Sequence, residues 1–114
     1  MSVTLSTRRV GKVTVVEAAG RITAGEAATS FRDTIRGLAS AGQTKLLVNL
    51  AEISYMDSSG IGELVAGFTT LAHHGGVMKL LKLSKRVHDL LQSTKLYTMF
   101  EVYDDERRAV ASFQ

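Results

Sequence analysis

Asn49-Leu50-Ala51-Glu52-Ile53-Ser54-Tyr55-Met56-Asp57-Ser58-Ser59-Gly60-Ile61-Gly62 is the stretch that organises this 114-residue chain. It follows Lys45–Leu50, where Leu46, Leu47, Val48 and Leu50 stand almost uninterrupted. A short continuous apolar run reads as a strand covered on both faces, hence central in a sheet. It precedes Ser58–His74, where Ile61, Leu64, Val65, Phe68, Leu71 and Ala72 recur at helical spacing. Residues 51–57 therefore read as the loop between a central strand and the strongest helix. In open α/β sheets, function sits on loops leaving strand C-termini.

Working outward, Val3–Thr7 and Lys12–Glu17 read as two strands turning at Arg9-Val10-Gly11, an antiparallel hairpin. A loop over Gly20–Gly25 leads to a helix over Glu26–Ala39, with Ala27, Phe31, Ile35 and Leu38 on one stripe. Gly75-Gly76 stops the second helix. Beyond it come a strand (Val77–Leu83), a helix capped by Ser84 and running to Ser93, a strand (Met99–Tyr103) and a helix (Asp104–Phe113). Asp104, Asp105 and Glu106 suit the positive end of that last helix. The order β-β-α-β-α-β-α-β-α predicts one α/β domain over 1–114, a mixed four- to five-stranded sheet with helices mostly on one side. The expected core is Val15, Phe31, Ile35, Leu47, Val48, Leu64, Phe68, Leu80, Leu90 and Leu91.

Composition narrows the function classes. There is no cysteine, which excludes disulfides and thiolate metal sites. Neither a signal peptide nor an apolar run long enough to span a membrane is present, so a cytoplasmic protein is expected. The net charge is +3, but the basic residues are spread along the chain. The densest group, Lys79, Lys82, Lys85 and Arg86, lacks interleaved aromatics and reads as a solvated face, not a nucleic-acid site. Catalysis is disfavoured too. Asp57 stands where Gly-x-Ser-x-Gly would need its first glycine for Ser59. His73 and His74, at the far end of the helix, would lie roughly 24 Å from Ser58. Gly60-Ile61-Gly62 lacks the third glycine of a dinucleotide fingerprint, no phosphate-binding loop is present, and His88 reads as exposed.

Asp57 and Ser58 are both good helix N-caps. Gly60 and Gly62 are costly in a first helical turn, each by up to ~1 kcal/mol. They read as keeping the helix start thin, so that a partner can approach. A phosphate on Ser58 would meet a positive helix end with free N–H groups and would block any surface packed there.

The quoted stretch resembles the signature of anti-sigma factor antagonists with the STAS fold: hydrophobic-Asn-Leu, then Asp-Ser-(Ser/Thr)-Gly-hydrophobic-Gly. The similarity continues in Gly20-Arg21-Ile22, Gly75-Gly76 and Lys85-Arg86-Val87. The resemblance implies a bacterial partner-switching protein. Unphosphorylated, it binds an anti-sigma factor that is a serine kinase, and so frees a sigma factor. Phosphorylation of the matching serine, Ser58, breaks the complex, and a PP2C-type phosphatase resets it. Partner contacts are then expected at Asp57, Ser58, Ser59, Gly60 and Gly62, with Arg21 and Thr23 from the Gly20–Gly25 loop. No cofactor, metal or membrane is expected, and a monomer or weak dimer is. The high isoelectric point departs from the family's usual character and leaves the partner's identity open. A scaffold or sensor subunit of a larger signalling complex, or a small-ligand module, is the alternative; a particle of megadalton size in gel filtration would mark the scaffold.

Overall fold

The computed structural model describes residues 3–113; Met1, Ser2 and Gln114, the ends of the expected 1–114 domain, lie outside the described residues. Nine principal elements follow the expected order: β1 Val3–Val10, β2 Val13–Ile22, α1 Glu26–Ser40, β3 Lys45–Met56, α2 Ser58–His73, β4 Val77–Leu81, α3 Lys85–Ser93, β5 Val102–Tyr103 and α4 Glu106–Ala111. The strands lie side by side in sequence order; β1 pairs antiparallel to β2 and every later pair is parallel. A sheet that grows in one direction through crossovers of one hand places its connecting helices on one face. Phe31 and Ile35 of α1, Leu64 and Leu71 of α2, and Val87 and Leu91 of α3 accordingly share one apolar cluster with Val16, Ile22, Val48, Leu50 and Leu80.

The other face is covered differently. Alternate residues Val13, Val15, Leu47 and Leu81 point there and meet Ala109 and Phe113 of the α4 segment. Of the ten expected core residues, eight are buried, on two separate faces; Phe68 and Leu90 are half-buried against the helical face. Ala72, on the expected α2 stripe, is exposed.

Several boundaries differ from the sequence reading. β1 runs to Val10, so the hairpin turns at Gly11-Lys12 and not at Arg9-Val10-Gly11, and β4 ends at Leu81, not Leu83. β3 does not stop at Leu50; it runs to Met56, and the expected loop over 51–57 is strand. β2 likewise runs to Ile22, which shortens the next loop to residues 23–25. At the register shifts opposite Glu17/Ala19 and Gly20/Arg21, β3 carries one residue more than β2, so the period of two that marks a strand is lost from its sequence. The expected strand from Met99 starts only at Val102, because Tyr97–Met99 is one turn of 3-10 helix. The final helix starts at Glu106, capped by Asp105.

Lys79 corrects the reading of the basic cluster. It is only 6% exposed. Its ammonium donates to Ser112 O and Ser112 Oγ at 3.0 and 2.9 Å, pairs with Glu101 at 3.2 Å and lies 4.8 Å from the centre of the Phe113 ring. A buried ammonium satisfied in this way is a fastener for the C-terminal segment, not a solvated charge.

Candidate functional site

Parallel strands all end at one edge, and the start of α2 lies there. The last register pairs of β2 with β3 are Arg21–Tyr55 and Ile22–Met56, and the Asp57 N–H then donates to Ile22 O at 3.3 Å. The extended strand thus delivers Asp57 directly to the helix start, with no free loop between.

Asp57 is the N-cap. Its Oδ1 accepts from Ser59 N at 2.9 Å and Gly60 N at 3.1 Å, and its Oδ2 accepts from Ala24 N at 3.2 Å. Partial burial pushes the carboxyl's pKa up, but donation from Gly60, Ala24 and Ser59 outweighs it and holds the group below its ordinary value. Asp57 is therefore a fixed anion that joins the α2 start to the residue before Gly25, the N-cap of α1.

Ser58 is the first helical residue and is exposed, while Ser59 is half-buried. Ser59 lines a groove of about 400 Å³ between α1 and α2, together with Ala24, Gly25, Thr29, Gly62 and Glu63. Arg32 closes that groove with a bidentate pair to Glu63, its shortest contact 2.6 Å. The expectation that phosphate on Ser58 would meet free N–H groups is corrected: Asp57 already holds those of Ser59 and Gly60. Ile61 N donates to Asp57 O in the ordinary helical way. A phosphate on Ser58 would sit beside a carboxylate and be turned outward by like-charge repulsion.

The two glycines separate. A Cβ on Gly60 would lie 2.5 Å from Met56 Cγ and 2.6 Å from Ile22 O. Gly60 is buried, and its missing side chain answers to the strand ends beneath it, not to a partner above. Gly62 is exposed and a Cβ there would meet nothing within 4 Å. Only Gly62 fits the idea of a thinned outer surface.

Arg21 is exposed, on β2, and lies 4.7 Å from the centre of the Tyr55 ring. Thr23 is half-buried and its carbonyl accepts from Ala28 N. All seven residues singled out in the sequence lie at this end of the sheet, on β2, the β2–α1 connection and the α2 start, but it is Ile22 and not Arg21 that lies under Gly60. Sequence reasoning missed Ala24, whose N–H ties the two helix starts, and Tyr55, which stands on β3 as a ring partner for arginine. Neither carries a local signal; an alanine N–H and a tyrosine in an apparent loop acquire their roles only from the strand register. His73 and His74 lie at the opposite end of α2, and the His74 ring bonds to Thr70 O at 2.9 Å. His88 packs edge-on against Tyr97. No group of three or more His, Asp or Glu able to hold a metal occurs among the described residues. Nor is any helix among them long and apolar enough to cross a membrane.

The family model described as STAS domain matches residues 4–109. The chain belongs to the STAS domain family. It is 35% identical over 72 residues to the anti-sigma-B factor antagonist of Bacillus subtilis, covering 63% of this chain and 65% of that one. It is 28% identical over 69 residues to the anti-sigma F factor antagonist of Paenibacillus polymyxa, covering 60% of this chain and 59% of that one. The match thus spans less than two thirds of the length of these curated relatives. Among solved structures, an anti-sigma factor antagonist from Mycobacterium paratuberculosis superposes with TM-score 0.84 at 19% identity, over 98% of this STAS chain and 94% of its own. At these identities the structural likeness establishes the fold.

Proposed function

We propose that this STAS protein is an anti-sigma factor antagonist, a binding switch with no catalysis of its own. In the unphosphorylated state it binds an anti-sigma factor that is also a serine kinase, and a sigma factor is released. Phosphorylation of Ser58 ends the binding, and a PP2C-type phosphatase restores it. The protein works in the cytoplasm as a monomer or weak dimer.

The observation that supports this reading best is the division of labour between Asp57 and Ser58. Asp57 is used up holding the helix start and the β2–α1 connection together. The next side chain, Ser58, is exposed at the same point. A kinase can reach this hydroxyl without unfolding anything. The added charge of about −2 then changes the surface and not the fold. Arg21, Thr23, Asp57, Ser59, Gly60 and Gly62 frame the contact area, with Gly60 acting from below by setting the path of the helix start. The names of the curated relatives point the same way.

The test is incubation with the cognate anti-sigma kinase and ATP, followed by mass mapping of peptides. Phosphate on Ser58 and none on Ser58→Ala supports the assignment. Phosphate on Ser59 instead would overturn it.

A further inference from the structure

The Tyr55 ring has two cations against it. Besides Arg21 at 4.7 Å, the Arg86 guanidinium carbon lies 4.4 Å from the ring centre. The two guanidiniums are therefore within about 9 Å of each other, the sum of those distances. Both arginines are exposed, and neither forms an ion pair among the described residues. Arg8 and Arg32, by contrast, each engage a glutamate.

The placement runs against local stability. Arg86 stands in the first turn of α3, which holds no acidic residue. A cation at a helix N-terminus is unfavourable against the helix dipole. Two like charges near one ring repel each other as well, and an acid at position 86 would relieve both costs. Contact with the ring offsets only part of these costs, and residues that break a local rule at a net cost are expected at functional sites. Stacking on a ring occupies the flat face of a guanidinium and leaves its N–H edge free for a carboxylate.

The pair sits at the same end of the sheet as Ser58. Arg21 and Tyr55 are register partners, and Tyr55 is three residues before Ser58. Arg86 also borders an open groove of about 280 Å³ lined by Ala51, Glu52, Ile53, Ser54 and Ser84. Glu52 is exposed there.

We propose that Arg21, Tyr55 and Arg86 form a docking site for a short acidic segment of the partner protein, two carboxylates meeting the two guanidiniums. This rests on the antagonist reading and extends its contact surface to α3. Charge decides the occupant: the guanidiniums repel a basic partner, the lack of a second ring disfavours an extended nucleic acid, and Glu52 repels any anion that reaches past the two arginines, which keeps the acidic segment short. The same charges make the switch coherent. An acidic segment drawn to the arginines is repelled by a phosphate added at Ser58.

The test uses hexaglutamate as the probe and no kinase, so it fails or succeeds independently of the phosphorylation assay. The full-length protein is titrated at low salt while its backbone amide and arginine Nε–H resonances are followed. The expected result is saturable shifts at Arg21, Tyr55 and Arg86. Arg86→Gln, its fold checked by circular dichroism, should weaken binding by about tenfold, equivalent to one charge-assisted contact. Tyr55→Phe should retain binding. Largest shifts elsewhere, for instance at Arg9 and Lys12, would overturn the proposal. So would equal binding of inorganic phosphate at matched ionic strength, which would make this a general anion site. Concentration-dependent shifts at the same residues without peptide would assign the surface to a second copy of the chain and likewise overturn it.

Discussion

The starts of α1 and α2, at the C-termini of β2 and β3, are built in opposite ways. α1 begins behind Gly25, with φ 99° and no side-chain cap. α2 begins behind Asp57, whose carboxylate takes two N–H groups of its own helix and reaches across to Ala24 N. One start is left bare; the other is fastened and also fastens the connection into its neighbour. The difference shows how a hydroxyl can be offered to a partner without loosening the fold. The acid next to it does the structural work, so the serine has none to do.

If that is right, the helix start should respond most to what lies under it. Gly60→Ala places a methyl group against Met56 Cγ and the Ile22 carbonyl. Overpacking of this kind costs about 1–3 kcal/mol, and the backbone oxygen has little room to give. Urea denaturation should show a lowered midpoint at unchanged slope. Survival at wild-type stability would mean that the glycine serves the surface after all.

Next comes the cap. Asp57→Ala should cost about 1–2 kcal/mol, and more of it than an ordinary cap because three N–H groups lose their acceptor. Its pH dependence has a fixed sign. The folded pKa lies below the ordinary value of 3.8, so the contribution is fully present above that pH. It is lost as pH falls from there through the folded value. The stability gap between wild type and Asp57→Ala should therefore be constant near neutrality and close in acid. A gap that persists at low pH would show that the carboxylate's charge is not what holds the two starts together.

Gly62→Ala should move the other way and least, gaining up to ~1 kcal/mol from helix propensity, because its Cβ points into open space. If it also weakens partner binding, Gly62 is the true thin point of the surface and the contrast with Gly60 is sharpened. If it leaves binding untouched, the partner does not approach there.

Much of this was readable in the residues. Apolar stripes such as Phe31 with Ile35, and Leu64 with Leu71, fix helices and their buried faces because spacing alone decides them. Asp57-Ser58 reads as a helix start for the same local reason. What escaped depends on distant partners. The strand over Ala51–Met56 is hidden because β3 carries one residue more than β2 at each of its two register shifts, which breaks its alternation. Lys79 reads as a surface charge until Ser112 and Phe113, more than thirty residues away, enclose it. The two glycines look alike in sequence and differ only because Ile22 and Met56 lie beneath one of them.

The central claim is that charge at Ser58 changes partner binding while the Asp57 cap stays as it is. The most direct measurement compares unphosphorylated protein with protein phosphorylated stoichiometrically on Ser58. Affinity for the cognate anti-sigma kinase and the amide resonances of Ala24, Ser59 and Gly60 are read on the same samples. The account predicts a loss of affinity of roughly a hundredfold, as like-charge repulsion of a few kcal/mol implies. Local shifts should accompany it, with hydrogen-exchange protection at Ser59 and Gly60 retained. Unchanged affinity, or loss of that protection on phosphorylation, would contradict it.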